Sequence, residues 1–157
     1  MSGGRLMGIA RHDRPRGPME TVQSVHVTRE QGVAGDARGA VRAGKQPRRQ
    51  ISLIETENWA AAMAELGLAG DEALPWFSRR ANLLVEGVRL PREPGSVIAV
   101  GPSLRIEMTM ECDPCSRMEE IMPGLKAALE PDWRGGVLGT VLSDGEIAVG
   151  DEVRIEQ

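Results

Sequence analysis

Glycine and proline interrupt this chain so often that no regular element can run far: 19 Gly and 10 Pro fall within 157 residues. Such punctuation calls for many turns and argues against a helical bundle. The stretches between the breaks are short and rich in strand formers. Residues 5–10 read as a first strand, and 22–28, with Val22, Val25 and Val27, as a second. Residues 49–54, 83–86 and 97–100 follow the same pattern. In 104–110, Leu104, Ile106, Met108 and Met110 alternate with Arg105, Glu107 and Thr109. One apolar and one polar face is the mark of a half-buried strand. Residues 137–142, 147–149 and 153–155 complete the set, and Asp144-Gly145 between apolar runs predicts a hairpin. Residues 32–47 are rich in Gly and Arg without periodicity, which predicts a long functional or mobile loop.

The period changes in two places. Trp59, Met63 and Leu66 stand at i, i+4 and i+7 around an alanine run, which predicts an amphipathic helix with Thr56 as N-cap and Gly67 as its stop. Asp113-Pro114 opens a second helix reaching about Leu129, broken at Pro123-Gly124. Only one Phe, three Trp and no Tyr are present, so Val, Leu, Ile, Ala and Met must build the core. Many short strands with one or two peripheral helices predict a mainly β fold, a barrel or sandwich, in a single domain over 1–157. A parallel α/β fold is disfavoured because strands and helices do not alternate.

Charge narrows the partners. Residues 1–50 hold ten Lys/Arg and four Asp/Glu, and the remainder nine and nineteen, so a +6 segment precedes a −10 one. An acidic chain with one basic segment is a poor nucleic-acid binder and a better host for a small anion gripped by local arginines. A solvated loop kept soluble by its charge accounts for that segment equally well. No apolar run approaches the roughly 18 residues of a membrane span, and residues 1–11 lack the apolar core of a signal peptide. Two cysteines without a secretory signal suggest thiols in a reducing cytoplasm.

Those cysteines form the sharpest motif, Cys112-Asp113-Pro114-Cys115-Ser116-Arg117. A zinc half-site needs four ligands, and only His12 and His26 remain. A redox dithiol belongs to a βαβ context that is missing. The third reading is one functional thiolate, Cys115, with Cys112 as neighbour or resolving thiol. With Asp113 as N-cap, Cys115 would be the second helical residue, near unpaired N–H groups that favour a thiolate, and Arg117 would add to the field. Burial of both cysteines as small hydrophobes is the structural alternative.

Cys112-x-Pro-Cys115 after an alternating strand resembles the cysteine segment of MOSC domains, the carboxy-terminal modules of molybdenum-cofactor sulfurases that also occur alone in bacteria. Other segments resemble the family in the same order: Gly32-Val33-Ala34-Gly35-Asp36, Arg49-Gln50-Ile51-Ser52-Leu53, Arg80-Ala81-Asn82, Arg134-Gly135-Gly136-Val137, and residues 145–153. The resemblance spans roughly residues 5–156. Family members often carry His two positions after the aspartate, where this chain has Arg38. Nothing in the sequence matches the pyridoxal-phosphate desulfurase domain of the eukaryotic sulfurases or the amino-terminal barrel of the amidoxime-reducing relatives.

The resemblance implies a β-barrel that binds the molybdenum cofactor (molybdopterin), with Cys115 ligating molybdenum or carrying its sulfur. Arg49, Arg80 and Asn82 become pocket residues for a phosphate-bearing pterin, since Arg pairs with phosphate through a planar fork and Asn offers both donors and acceptors. Asp36 either orients a pocket arginine or shapes an Asx turn. Ser52 would donate to the ligand or be satisfied within its strand. Arg134 and the glycines after it would present N–H groups to an anion or form a plain turn. Three functions follow: a reductase of N-hydroxylated compounds fed by a separate flavin or iron–sulfur donor, a sulfur carrier loaded by a cysteine desulfurase, or a non-catalytic cofactor-binding module.

Overall fold

The computed structural model describes residues 3–40 and 47–156. Its longest strands are β1 (Gly4–Arg11) and β8 (Leu104–Glu111). In β8, Leu104, Ile106 and Met108 are buried while Arg105, Glu107 and Thr109 sit nearer solvent, as the alternation predicts. The other strands are β2 (Glu20–Val22), β3 (Ser24–Thr28), β4 (Gly32–Val33), β5 (Ile51–Glu55), β6 (Leu83–Glu86), β7 (Val97–Val100), β9 (Val137–Ser143), β10 (Gly145–Ala148) and β11 (Glu152–Glu156).

Seven of these strands close into a barrel in the order β11-β7-β8-β9-β5-β6-β1, with β1 returning to β11 through Gly4↔Val153 and Arg5↔Glu152. Strand β2 extends β1. Closure removes the unpaired edges that an open sheet would present. All barrel pairings are antiparallel except β5–β6, which run parallel because helix α1 (Thr56–Glu65) carries the chain across between them. Thus one strand–helix–strand unit is set into an otherwise antiparallel sheet.

That unit explains why β5 is buried at Ile51, Ser52, Leu53 and Ile54 alike. Ile51 and Leu53 face the barrel interior with Leu83 and Val85, while Ile54 and Leu84 face the other way, against α1. The helical cap also includes α2 (Ser116–Ile121) and α3 (Leu125–Leu129), separated at the predicted Pro123-Gly124 break. Its core packs Trp59, Met63, Met118, Leu125 and Leu129.

Several expectations are corrected locally. Gln23 divides the expected strand 22–28, so residues 20–22 pair with β1 and 24–28 with β10 and β4. Asp144-Gly145 does not form a hairpin: β9 pairs with β5 and β8, whereas β10 leaves for β3 in a separate three-stranded sheet. Residues 32–33 of the expected loop form β4, and 41–46 lie outside the described residues. Helix α1 starts at Thr56, with Glu55 at the cap position, and its stop at Gly67 (φ +72°) is as predicted. His26 is exposed on β3, 3.8 Å from Glu146.

Candidate functional site

A cleft of about 160 Å³ opens where the end of β8, the start of β5 and the segment before β6 meet α2. Both cysteines line it. Cys112 is buried immediately beyond β8, and Cys115 is exposed; both are free thiols. The expected capping is displaced: Cys115 itself is the N-cap of α2, with extended backbone (φ −119°, ψ −178°), and Asp113-Pro114 lies ahead of the helix. The six-residue helix contributes little field. The charge at this cleft comes instead from side chains.

Five of the lining residues are arginines: Arg38, Arg49, Arg79, Arg80 and Arg117. Arg49 is exposed just before β5. Arg117 lies on α2, where Nη1 reaches Glu120 at 3.5 Å while its buried Nε has no partner. Arg80 stands in the left-handed region (φ +68°) and donates from Nη2 to the Gly17 carbonyl at 2.7 Å. Burial, then the neighbouring Arg117, Arg38 and Arg16 charges, push its pKa below the ordinary arginine range. Asp113 is the acid among the lining residues. Glu111 is held above the usual carboxylate range by burial, then by the charge of Asp113 and a hydrogen bond to it.

Arg79 was not singled out in the sequence, yet it is the most deeply placed of the five, 6% exposed. It ends a 3₁₀ turn, Trp76–Arg79, whose left-handed exit at Arg80 parts the two side chains. Its Nε donates to the Gly135 carbonyl (3.1 Å), and Nη2 to both the Cys112 carbonyl (2.8 Å) and Cys112 Sγ (3.2 Å). Among the described residues no carboxylate pairs with it. Its partners belong to segments held close by Gly135, where a Cβ would stand 2.5 Å from the Cys112 carbonyl. A buried guanidinium without a counter-charge is costly, and it leaves positive potential at the cleft floor.

Other expected site residues divide. Ser52 is buried and lines the cleft, with its hydroxyl accepting from Asn82 N (3.1 Å) and donating to Asn82 Oδ1 (3.3 Å). Asn82 does not line it: Oδ1 accepts from Ser52 N (3.0 Å) and Nδ2 donates to the Ala10 carbonyl (3.1 Å), so the carboxamide ties β5 to β1. Asp36 is buried and forms an Asx-type link, accepting from Arg38 N at 3.3 Å and from His12 N at 3.0 Å. Arg134 lies away from the cleft, bonded to Glu65 (2.9 Å) and the Ala128 carbonyl (2.9 Å), where it fastens α3 to α1. Its two glycines serve the backbone: Gly136 (φ +94°) lets the start of β9 pass so close to the Leu53 carbonyl that a Cβ would collide.

An exposed thiol among arginines, on a seven-stranded barrel, can be set beside known families. The family model described as MOSC domain matches residues 31–154. The chain belongs to the MOSC domain family. These domains generally bind the molybdenum cofactor. Solved structures share the fold of this MOSC chain: the YuaD protein of Bacillus subtilis superposes with a TM-score of 0.74 at 21% identity, over 97% of this chain and 94% of its own. YiiM of Geobacillus stearothermophilus gives 0.70 at 15%, covering 98% and 75%, and YiiM of Escherichia coli 0.66 at 16%, covering 98% and 70%. No curated protein sequence matches the chain. No helix among the described residues is long and apolar enough to cross a membrane.

Proposed function

We propose that this chain acts as a single cytoplasmic MOSC domain that binds the molybdenum cofactor in the arginine-lined cleft, with Cys115 as ligand to molybdenum, and reduces N-hydroxylated compounds with electrons from a separate flavin or iron–sulfur protein. The observation that carries the reading is the exposed Cys115 thiol in a cleft with five arginines and one lining carboxylate. The donor set fits the cofactor: a thiolate suits a soft or high-valent metal, and guanidinium forks suit a phosphate-bearing anion. The partnerless Nε of Arg117 is a buried donor at the cleft wall for such a guest.

Cys115 would give its sulfur to the metal, having lost its thiol proton to solvent. Arg49, Arg80 and Arg117 would hold the anionic part and offset its charge. Arg79 and Asn82 act on the frame, the first by fixing the Cys112 carbonyl and the second by fixing Ser52. Asp36 holds the turn that presents Arg38. When bound, the cofactor supplies two-electron redox chemistry. Reduction of N–OH to N–H consumes two electrons and two protons and releases water, so an external electron donor is required.

The test is expression with an intact cofactor pathway, gentle purification and metal analysis. Near-stoichiometric molybdenum, lost in Cys115→Ser together with reduction of an N-hydroxylated test compound by a chemically reduced dye, is expected. Protein that stays metal-free and inactive after loading with cofactor overturns the reading. The exposure of Cys115 also favours sulfur transfer, in which a cysteine desulfurase leaves a persulfide on it. Mass spectrometry then finds an adduct of about 32 Da, one sulfur atom, on Cys115. A bare thiol after incubation with desulfurase and cysteine rejects that reading.

A further inference from the structure

After α1 the chain turns back along the helix and leaves a groove between the two. Gly67 ends the helix in the left-handed region, and Leu68 N donates to the Met63 carbonyl at 2.9 Å. Trp59 Nε1 donates to the Leu74 carbonyl at 3.1 Å, which pins the returning segment. The groove encloses about 600 Å³, against about 160 Å³ for the cleft. Buried Trp59 and Met63 lie deepest in it, and no charged side chain lines it. Its helical wall is the stripe Thr56, Ala60, Ala64 and Gly67, spaced by three and four residues and about 16 Å long. Ala69, Gly70 and Ala73 stand on the other wall. A Cβ placed on Gly67 or Gly70 would meet no atom within 4 Å, so that end is open.

The rim of this groove carries one sign of charge. Residues 56–78 hold Glu57, Glu65, Asp71 and Glu72 and no Lys, Arg or His. Two of these acids are committed: Glu57 accepts from Gly87 N at 2.9 Å, and Glu65 from Arg134 at 2.9 Å. Asp71 and Glu72 are exposed on the 3₁₀ turn Gly70–Glu72, beside the lining Ala73, with no ion-pair partner among the described residues. The C-terminal end of α1, which has no basic residue in its last turn, adds partial negative charge near Gly67. An apolar patch rimmed by polar residues marks an interaction surface. Small side chains on both walls let the backbone of another helix approach closely. A second copy of the chain has no suitable helix to offer. Among the described residues α2 and α3 are six and five residues long, and their Arg117 and Lys126 are matched by Glu120 (3.5 Å) and Glu130 (3.0 Å).

We infer that the groove docks an amphipathic helix of a partner protein, its apolar face laid between α1 and the returning segment and its Lys or Arg side chains beside Asp71 and Glu72. The apolar lining supplies the contact, and the acidic rim selects a basic helix over an acidic one. Trp76 ends the groove and begins the 3₁₀ turn that carries Arg79 to the cleft floor, so a seated partner touches the element that frames the cleft. The groove stands on its own residues, not on the cofactor reading: peptide binding tests the groove, whereas molybdenum retention tests the cleft.

The experiment titrates the full-length protein, labelled for amide NMR, with a synthetic amphipathic helix of leucine and lysine, and separately with its leucine–glutamate counterpart. Saturable binding of the lysine peptide with a Kd on the order of 100 μM or tighter is expected, with shifts concentrated in residues 56–76. Asp71→Lys with Glu72→Lys should weaken it by about tenfold or more, and so should Ala64→Gln, which fills the groove. Glu30→Lys with Glu146→Lys changes the net charge equally on the small sheet and should weaken binding by about twofold or less. These positions are all exposed, so the variants should keep their unfolding midpoints; if the reversal at 71 and 72 does not, Asp71→Asn with Glu72→Gln is read instead. Equal binding of the two peptides, equal weakening by the two charge reversals, or shifts centred outside 56–76 overturns the inference. So does self-association of the protein alone that Ala64→Gln abolishes, since a second copy would then fill the groove.

Discussion

The barrel interior and the helical cap bury apolar side chains of different character. Inside the barrel, Val, Leu and Ile dominate, with Met108 the one methionine among the fully enclosed residues there. The cap is packed by Trp59, Met63, Met118, three alanines and a few leucines and isoleucines. β-Branched side chains are stiff at χ1, whereas methionine adapts to irregular space. The barrel is therefore a rigid frame, and the cap a more adjustable cover. The cleft lies on the seam: Ser52 comes from the frame, and Met118 and Ala81 from the cover. Cys115 opens the adjustable side, and Cys112 ends the rigid one.

Deleting a barrel side chain should have the largest effect. Ile106→Ala, at a fully buried position, should cost about 3–4 kcal/mol in denaturant unfolding, because the closed sheet cannot collapse on the void. A loss below about 1 kcal/mol would contradict the rigid frame. Arg79→Met ranks next. It strands the buried Gly135 and Cys112 carbonyls, and a loss of about 2–3 kcal/mol is expected, with faster thiol labelling of Cys112. Labelling no faster than in wild type would mean that Arg79 does not hold that segment shut.

His12 gives a smaller, pH-dependent effect. Its folded pKa lies below its unfolded value near 6.5, through burial, so the unfolded chain binds more protons as pH falls through that range. Its share of stability is complete above the unfolded pKa and is lost as pH drops toward the folded one. His12→Gln should flatten that acid limb in unfolding midpoints measured between about pH 7 and 5. An unchanged limb would place the titration elsewhere. The smallest effect belongs to the cover: Met118→Leu should change stability by less than about 1.5 kcal/mol, since volume is kept and the cap can repack. A larger loss would make cap and barrel equally exacting.

Much of the fold could be read in advance where the pattern was local. The alternation at 104–110, the i, i+4, i+7 spacing of Trp59, Met63 and Leu66, and the Pro123-Gly124 break all appear as expected. Asp144-Gly145 misled because a turn dipeptide says that the chain reverses, not which strand it joins next; β10 found β3 more than a hundred residues away. The same distinction governs the site. Cys115 and the arginines at 49, 80 and 117 belong to motifs and reach the cleft. Arg79 could not be recognised, because acceptors 33 and 56 residues away decide its burial. Asn82 and Arg134 carry the right chemistry for a ligand, but long-range partners, Ala10 and Glu65, claim their donors.

The departure of β10 from the barrel has an effect beyond topology. By joining β3, which in turn holds β4, it makes residues 145–148 a brace behind the turn at 34–38. Asp144 adds a bond to Arg29 N at 2.7 Å. Trimming or grafting the last strands would therefore act at a distance, loosening the loop that carries Arg38 while leaving every cleft residue in the sequence untouched.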